Sequence, residues 1–217
     1  MPGHDLSVSN RKRVATTARL PRAQRREQIV GAAATVFVGG GFASASMEDV
    51  ARAAGVTRLI VYRIFESKEA LYLAVLSNVI DDLAETFDAT PAREAGQQRD
   101  SIAALLLGVA RRQPDGFRLL WRHASNEPEF SWLAAKFKAT ASEYAGTLLG
   151  TSLTDPTLLK WAADSLVSHI YESICLWLDR GHESRDAEFL NMLSEGVRAM
   201  VNEWVRTSAQ GYRVRGN

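Results

Sequence analysis

Apolar residues recur along the first part of this chain with the period of an α-helix. Ile29, Ala32, Ala33, Val36 and Phe37 stand at i, i+3, i+4, i+7 and i+8, a single apolar face. Pro21 suits the first turn of this helix, and Gly39-Gly40-Gly41 its end. The glycine triplet follows a helix rather than a strand and lacks GxGxxG or Walker spacing, so it predicts a helix stop and not a phosphate loop. A second helix is expected from Ser46, where Ser46-Met47-Glu48-Asp49 reads as a capping box with Asp in the place usual for Glu or Gln. Met47, Val50, Ala51 and Ala54 form its inner face and Gly55 ends it. Thr57 then caps a short third helix that buries Val61 and Phe65. Ser67 caps a fourth, which opens with Lys68-Glu69-Ala70-Leu71. Short helices joined by a glycine-containing turn make a helix-turn-helix pattern.

Downstream, no strand-like alternation runs long enough to compete with the helical period. Helices are expected near 68–88, 98–112, 117–126, 129–149, 157–180 and 186–208. The breaks fall at Pro91, Pro114-Asp115-Gly116, Pro128, Asp155-Pro156 and Gly181. Asp155-Pro156 is an N-cap followed by a first-position proline. The prediction is an all-α protein in three parts: a basic arm over 1–20, a helix-turn-helix domain over 21–67, and a helical domain for ligand binding and dimerisation over 68–217.

Composition and charge narrow the function. The 217 residues are 46% hydrophobic and 24% charged, ordinary for a globular chain. The longest apolar run, Ile102 to Ala110, is about half of the roughly 18 residues a membrane span needs. Cys175 is the one cysteine, so no intrachain disulfide forms, and with no secretion-signal core at the N-terminus a cytoplasmic protein is expected. The net charge of +1 conceals an asymmetry: Met1 to Ser77 carries +5 and the remainder −4. Most of the excess lies in the first thirty residues, with Arg11, Lys12, Arg13, Arg19, Arg22, Arg25 and Arg26 against Asp5 and Glu27. A basic end on an acidic body points to a polyanion partner for that end alone.

The major groove of B-DNA admits one α-helix, and its base edges carry a code that side chains read. Around its buried residues the third helix is expected to expose Thr57, Arg58, Leu59, Ile60, Tyr62, Arg63 and Ile64. Ser46 and the amides after it offer a phosphate site at a helix N-terminus, and Lys68 offers another. These residues resemble a known family. Arg26 to Leu76 is similar to the DNA-binding region of TetR-family transcriptional regulators. The likeness rests above all on Met47-Glu48-Asp49-Val50-Ala51, Ala54-Gly55-Val56-Thr57, Val61-Tyr62, Phe65 and Ser67-Lys68-Glu69-Ala70-Leu71. The resemblance implies a homodimeric repressor released from operator DNA by a small molecule. By position it gives Tyr62 and Lys68 to phosphates, and Thr57, Arg58, Leu59, Ile60 and Arg63 to bases or nearby phosphates. Leu59 and Ile60 depart from the small, proline or hydroxyl residues common there. Apolar contact with thymine methyls is therefore expected from them, leaving Arg58 and Arg63 as the base readers.

The rest of the chain matches no motif and is read from its residues. Phe189, Leu190, Leu193, Val197, Met200, Val201 and Trp204 form a long stripe on the last helix, and Ala162, Leu166, Ile170 and Trp177 a similar one on the helix before it. Both predict a homodimer through the last two helices. Aromatic and polar side chains nominate Trp121, His123, Phe137, Tyr144 and His169 as an effector site. His169 and Glu172 stand at i and i+3 but form the only such pair, and no thiolate cluster exists; neither a metal site nor a cofactor is expected. No nucleophile-elbow or related signature is present, so an enzyme is not expected. Two alternatives stay open from the residues: a DNA-binding regulator without an effector, and a helical small-molecule-binding protein or enzyme.

Overall fold

A computed structural model describes residues 20–88 and 95–209, and of 95–101 the backbone alone. The expected arm to Arg19 and the break at Pro91 lie outside the described residues. Within them the chain is all-α: α1 Arg22–Ser44, α2 Met47–Ala53, α3 Arg58–Ile64, α4 Lys68–Asp88, α5 Ala95–Arg112, α6 Pro114–Arg118, α7 Ser131–Leu149, α8 Pro156–Arg180 and α9 Asp186–Ala209.

The local signals act largely as the residues suggest. Ser46 and Asp49 form a reciprocal capping box at α2. The Ser67 hydroxyl accepts the Ala70 amide at the head of α4, and the Asp155 carboxylate accepts the Leu158 amide at the head of α8. Gly55 takes a left-handed φ of 63° and turns the chain between α2 and α3, a conformation that suits a residue without Cβ.

Two expectations are corrected. The glycine triplet does not end α1: the helix runs on through Gly39 and Gly40 and kinks at Gly41, where φ is 75° and ψ 165°. A last turn then continues to Ser44, because Glu127 of the body accepts the Phe42 amide at 3.2 Å and holds the chain after the kink. The single helix expected near 117–126 is instead α6, a π-helical turn at Leu119–His123 and a 3-10 turn at Ala124–Asn126. α4 begins at Lys68. Its first turns complete the N-terminal core, where Tyr72 meets Phe37 at 5.0 Å and Phe42 at 5.1 Å.

Ile29, Ala33, Phe37, Val50, Val61 and Leu71 make the centre of that core. Phe130 stacks on Tyr72 at 4.2 Å and so joins the body to it. In the body, α7 and α8 pack along each other, while α9 lies against α5 and α8. The Asp186 carboxylate pins this junction, accepting a forked pair from Arg111 at 2.6 and 3.0 Å and the Trp177 indole N–H at 2.7 Å. Among the described residues no helix is long and apolar enough to cross a membrane.

Candidate nucleic-acid interface

α3 is held by one buried side chain of its own, Val61, and by Phe65 just beyond its end. Apart from the half-buried Ile60 and Ile64, its other residues are exposed. Leu59 is 69% exposed and Tyr62 42% exposed, and Thr57, Arg58 and Arg63 are exposed as well. Thr57 occupies the N-cap position with extended backbone, yet its hydroxyl makes no capping bond and stays available. Arg58 and Tyr62, one turn apart, act as a unit. The guanidinium lies 5.2 Å from the ring centre and donates to the Tyr62 hydroxyl at 3.3 Å. That bond is the main reason the Arg58 pKa rises further.

Ile60 sits differently from its neighbours. It is half-buried beside Ile64 and packs on the core rather than standing on the outward face. With Leu20, Arg22, Arg25 and Arg63, these isoleucines line a cleft of about 570 Å³ between the start of α1 and α3. Arg22 and Arg25 are site candidates that the residue pattern leaves in the charge count of the first thirty residues; their position on the first turns of a helix beside α3 is a tertiary fact.

Two phosphate expectations meet other uses of the same groups. The Ser46 hydroxyl donates to Asp49 Oδ2 at 2.5 Å and accepts the Asp49 amide, while the Ser46 amide donates to the same carboxylate. These bonds, the Ser46 hydroxyl first, lower the Asp49 pKa. A carboxylate therefore already fills the N-terminus of α2, and Ser46 is a cap rather than an open anion site. Lys68 is likewise engaged: its ammonium donates to the carbonyl oxygens of Phe42 at 2.7 Å, Ala45 at 3.0 Å and Ala43 at 3.4 Å, and lies 4.3 Å from the Phe42 ring centre. Carbonyls at the end of α1 have no helical partners, so a cation there satisfies them. Lys68 ties α4 to α1 instead of waiting for a phosphate.

The effector candidates do not converge. Trp121 stacks on buried Tyr171 at 4.9 Å, Phe137 meets the same ring edge-on at 5.6 Å, and Phe117 covers it at 5.5 Å. The Trp121 indole N–H donates to Glu172, which Arg122 also holds. This is packed aromatic core with a half-exposed rim. His123 is half-exposed in the π-helical turn, Tyr144 is exposed beside Phe87 at 5.7 Å, and His169 is exposed on α8. A second cavity of about 280 Å³ lies elsewhere, between α1, α4 and the α5–α6 corner, and none of the five lines it. Among the described residues no group of three or more metal-ligating side chains comes together.

The dimer stripes also divide. On α9, Leu193, Val197 and Val201 are buried in the chain's own core, and Phe189 stacks on Trp177 at 4.7 Å. The apolar groups left outside are Leu158, Trp161 and Leu176 on α8 and Met192 on α9.

A sequence model of bacterial regulatory proteins of the tetR family matches residues 29–75, the segment from the core of α1 to the first turns of α4. Over this N-terminal helix-turn-helix region the chain is similar to that family. The transcriptional activator FasR of Mycolicibacterium smegmatis is 48% identical to the chain over 65 residues, which is 30% of each protein. The transcriptional regulator RutR of Escherichia coli K12 is 27% identical over 211 residues, covering 89% of this chain and 97% of its own. The crystal structure of AibR in complex with isovaleryl coenzyme A and operator DNA shares the fold, with a TM-score of 0.61 at 17% identity over 78% of this chain and 96% of that one. The TetR-type region is thus the part with close sequence relatives, and the body follows them in architecture.

Proposed function

We propose that the chain is a cytoplasmic, homodimeric repressor that holds operator DNA with α3 of each copy and lets go when a small molecule binds its body. The observation that carries this is the outward face of α3. Thr57, Arg58, Leu59 and Tyr62 stand exposed on a rigid seven-residue helix whose inner face is locked by Val61. Such a rod fits the major groove, where Arg58 reads a guanine edge, Leu59 contacts a thymine methyl and Tyr62 steadies the backbone.

One short helix reads few bases, so useful specificity needs two copies at fixed spacing. The exposed Leu158, Trp161, Leu176 and Met192 on the last two helices support a pairing face there. A small change in the angle between the paired bodies would then disengage one α3 from its half-site. For an effector, the half-exposed rim of Trp121 and Phe137 around Tyr171 is the favoured entry. AibR, with its acyl-coenzyme A and operator, supports that division of labour. The close packing around Tyr171 favours a second reading, a regulator without an effector.

Selection of duplexes from a random pool with the full chain tests the DNA reading. A pseudo-palindromic sequence bound by two copies is expected; no enrichment, or one copy per site, would refute it. A thermal-shift screen of small apolar acids and their coenzyme A esters separates the two readings. Stabilisation with release of the duplex supports an effector, and no shift supports the second.

A further inference from the structure

We propose that the cavity between α1, α4 and the corner joining α5 to α6 is a binding site for a small organic ammonium ion, separate from the aromatic rim around Tyr171. Occupation of this cavity needs no DNA. Only its consequence for operator binding rests on the DNA reading above.

The cavity measures about 280 Å³. That is the volume of about nine liquid waters and falls just under the range of drug-sized sites, so its occupant is compact. Buried Val30 and Ala34 of α1 and Val75 of α4 give it an apolar floor. Gly31 keeps it open, since a Cβ built on this residue meets nothing within 4 Å. The α6 wall is tight by contrast, with Gly116 packed against Val79.

Hydrogen-bond accounting sets the chemistry of the occupant. The donors on the wall are largely spent. The Thr35 hydroxyl donates to Asp115 at 2.7 Å, the Asn78 amide to Gln113 at 2.7 Å and the Gln113 amide to Asp82 at 2.8 Å. Arg112 turns Nε and one Nη toward Asp82, and that Nη also reaches Thr86. Acceptors are what remain open: Asn78 Oδ1, the lone pairs of the Thr35 hydroxyl and the Glu27 carboxylate. Arg112 and Asp115 are each answered by a charge outside the cavity, Asp82 and Arg118. Glu27 has no hydrogen bond or ion pair among the described residues, and stands as the uncompensated charge of the lining. An ammonium group brings three donors and the opposite charge, and its apolar stem suits the floor. A carboxylate would meet open acceptors and a like charge.

The site spans the junction between the N-terminal region and the body, beside the Thr35–Asp115 bond that ties α1 to α6. An occupant touching both walls fixes their relative placement, and through α1 the angle at which α3 is presented. Occupancy thereby couples to operator binding.

Titration of the isotope-labelled full chain with n-butylammonium chloride, at constant ionic strength and followed by amide chemical shifts, tests the site. Butanol and sodium butyrate serve as probes of equal length. Saturable shifts at Gly31 and Gly116 are expected for the ammonium, with both other probes weaker by about tenfold or more. G31L fills the open space and should abolish saturation. Its thermal melt should stay at or above that of the wild type, because leucine is a better helix former than glycine. E27Q, at an exposed position, should weaken the ammonium by about tenfold and leave butanol unchanged. Butyrate binding as well as the ammonium, or saturation that survives G31L because the ion lies on the Trp121 face, would overturn the site. So would a wild-type chain that shows no saturable shift; none of these results touches the DNA reading.

Discussion

Lys68 shows how one side chain changes meaning once its neighbours are known. Its hydrogen bonds to the carbonyls of Phe42, Ala43 and Ala45 make it a tie between α1 and α4. Hydrogen bonds to a charged group contribute about 1.5–3 kcal/mol, so K68M should lower the thermal stability of the N-terminal region by an amount of that order. The salt slope of DNA binding should stay at the wild-type value, because the Lys68 ammonium is already held by those carbonyls. A stable K68M protein with a shallower slope would return Lys68 to the DNA interface. Arg58 is the contrasting case, exposed and braced on Tyr62. R58A should cost about 1–3 kcal/mol on the selected duplex and relax preference at a single base pair, as read from a panel of singly substituted duplexes.

At the scale of elements, the junction between the N-terminal region and the body is close and specific. Gly116 of α6 faces α4 so tightly that an added Cβ would sit 2.7 Å from Val79 Cγ2. G116A should therefore destabilise the chain by about 1–3 kcal/mol, measurable by denaturant unfolding. The same corner carries the Thr35 hydroxyl donating to Asp115 at 2.7 Å and Arg118 bridging Asp115 to Asp179 of α8. A path of polar contacts thus runs from α1 to α8. The kink at Gly41 is a second such element. At φ 75° a Cβ is strained, so G41A should cost about 1–2 kcal/mol and displace the entry to α2.

At the scale of the whole molecule, acid acts through the carboxylates that join its helices. Asp82, Asp179 and Asp186 all have lowered pKa values, chiefly through the guanidiniums of Arg112, Arg122 and Arg111 respectively. Each holds its proton less tightly in the folded chain than in the unfolded one. Their stabilisation is therefore complete above the unfolded value of about 3.9 and disappears as pH falls through the lower folded values. Thermal melts should be flat near neutrality and decline below about pH 4. The exposed apolar groups set another expectation. W161E, on the outer face of α8, should give a monomer by light scattering and weaken binding to a two-half-site duplex far more than to a half-site.

Much of this molecule is legible in its residues alone. The helical period, the caps at Ser46, Ser67 and Asp155 and the turn at Gly55 are local, and local patterns act within a turn or two of the residues that carry them. The outward face of α3 follows for the same reason, since a helix with Val61 and Phe65 inside has its other side outside. Lys68, Ser46, Ile60 and Trp177 escape a reading by type and spacing, because the partner of each comes from a distant segment or a competing side chain. Glu127 on Phe42, 85 residues away, and the arginine-lined cleft between α1 and α3 leave no periodic trace at all. Chain order governs which helices form; the packing of distant side chains settles which of their charges are already answered and which still face outward.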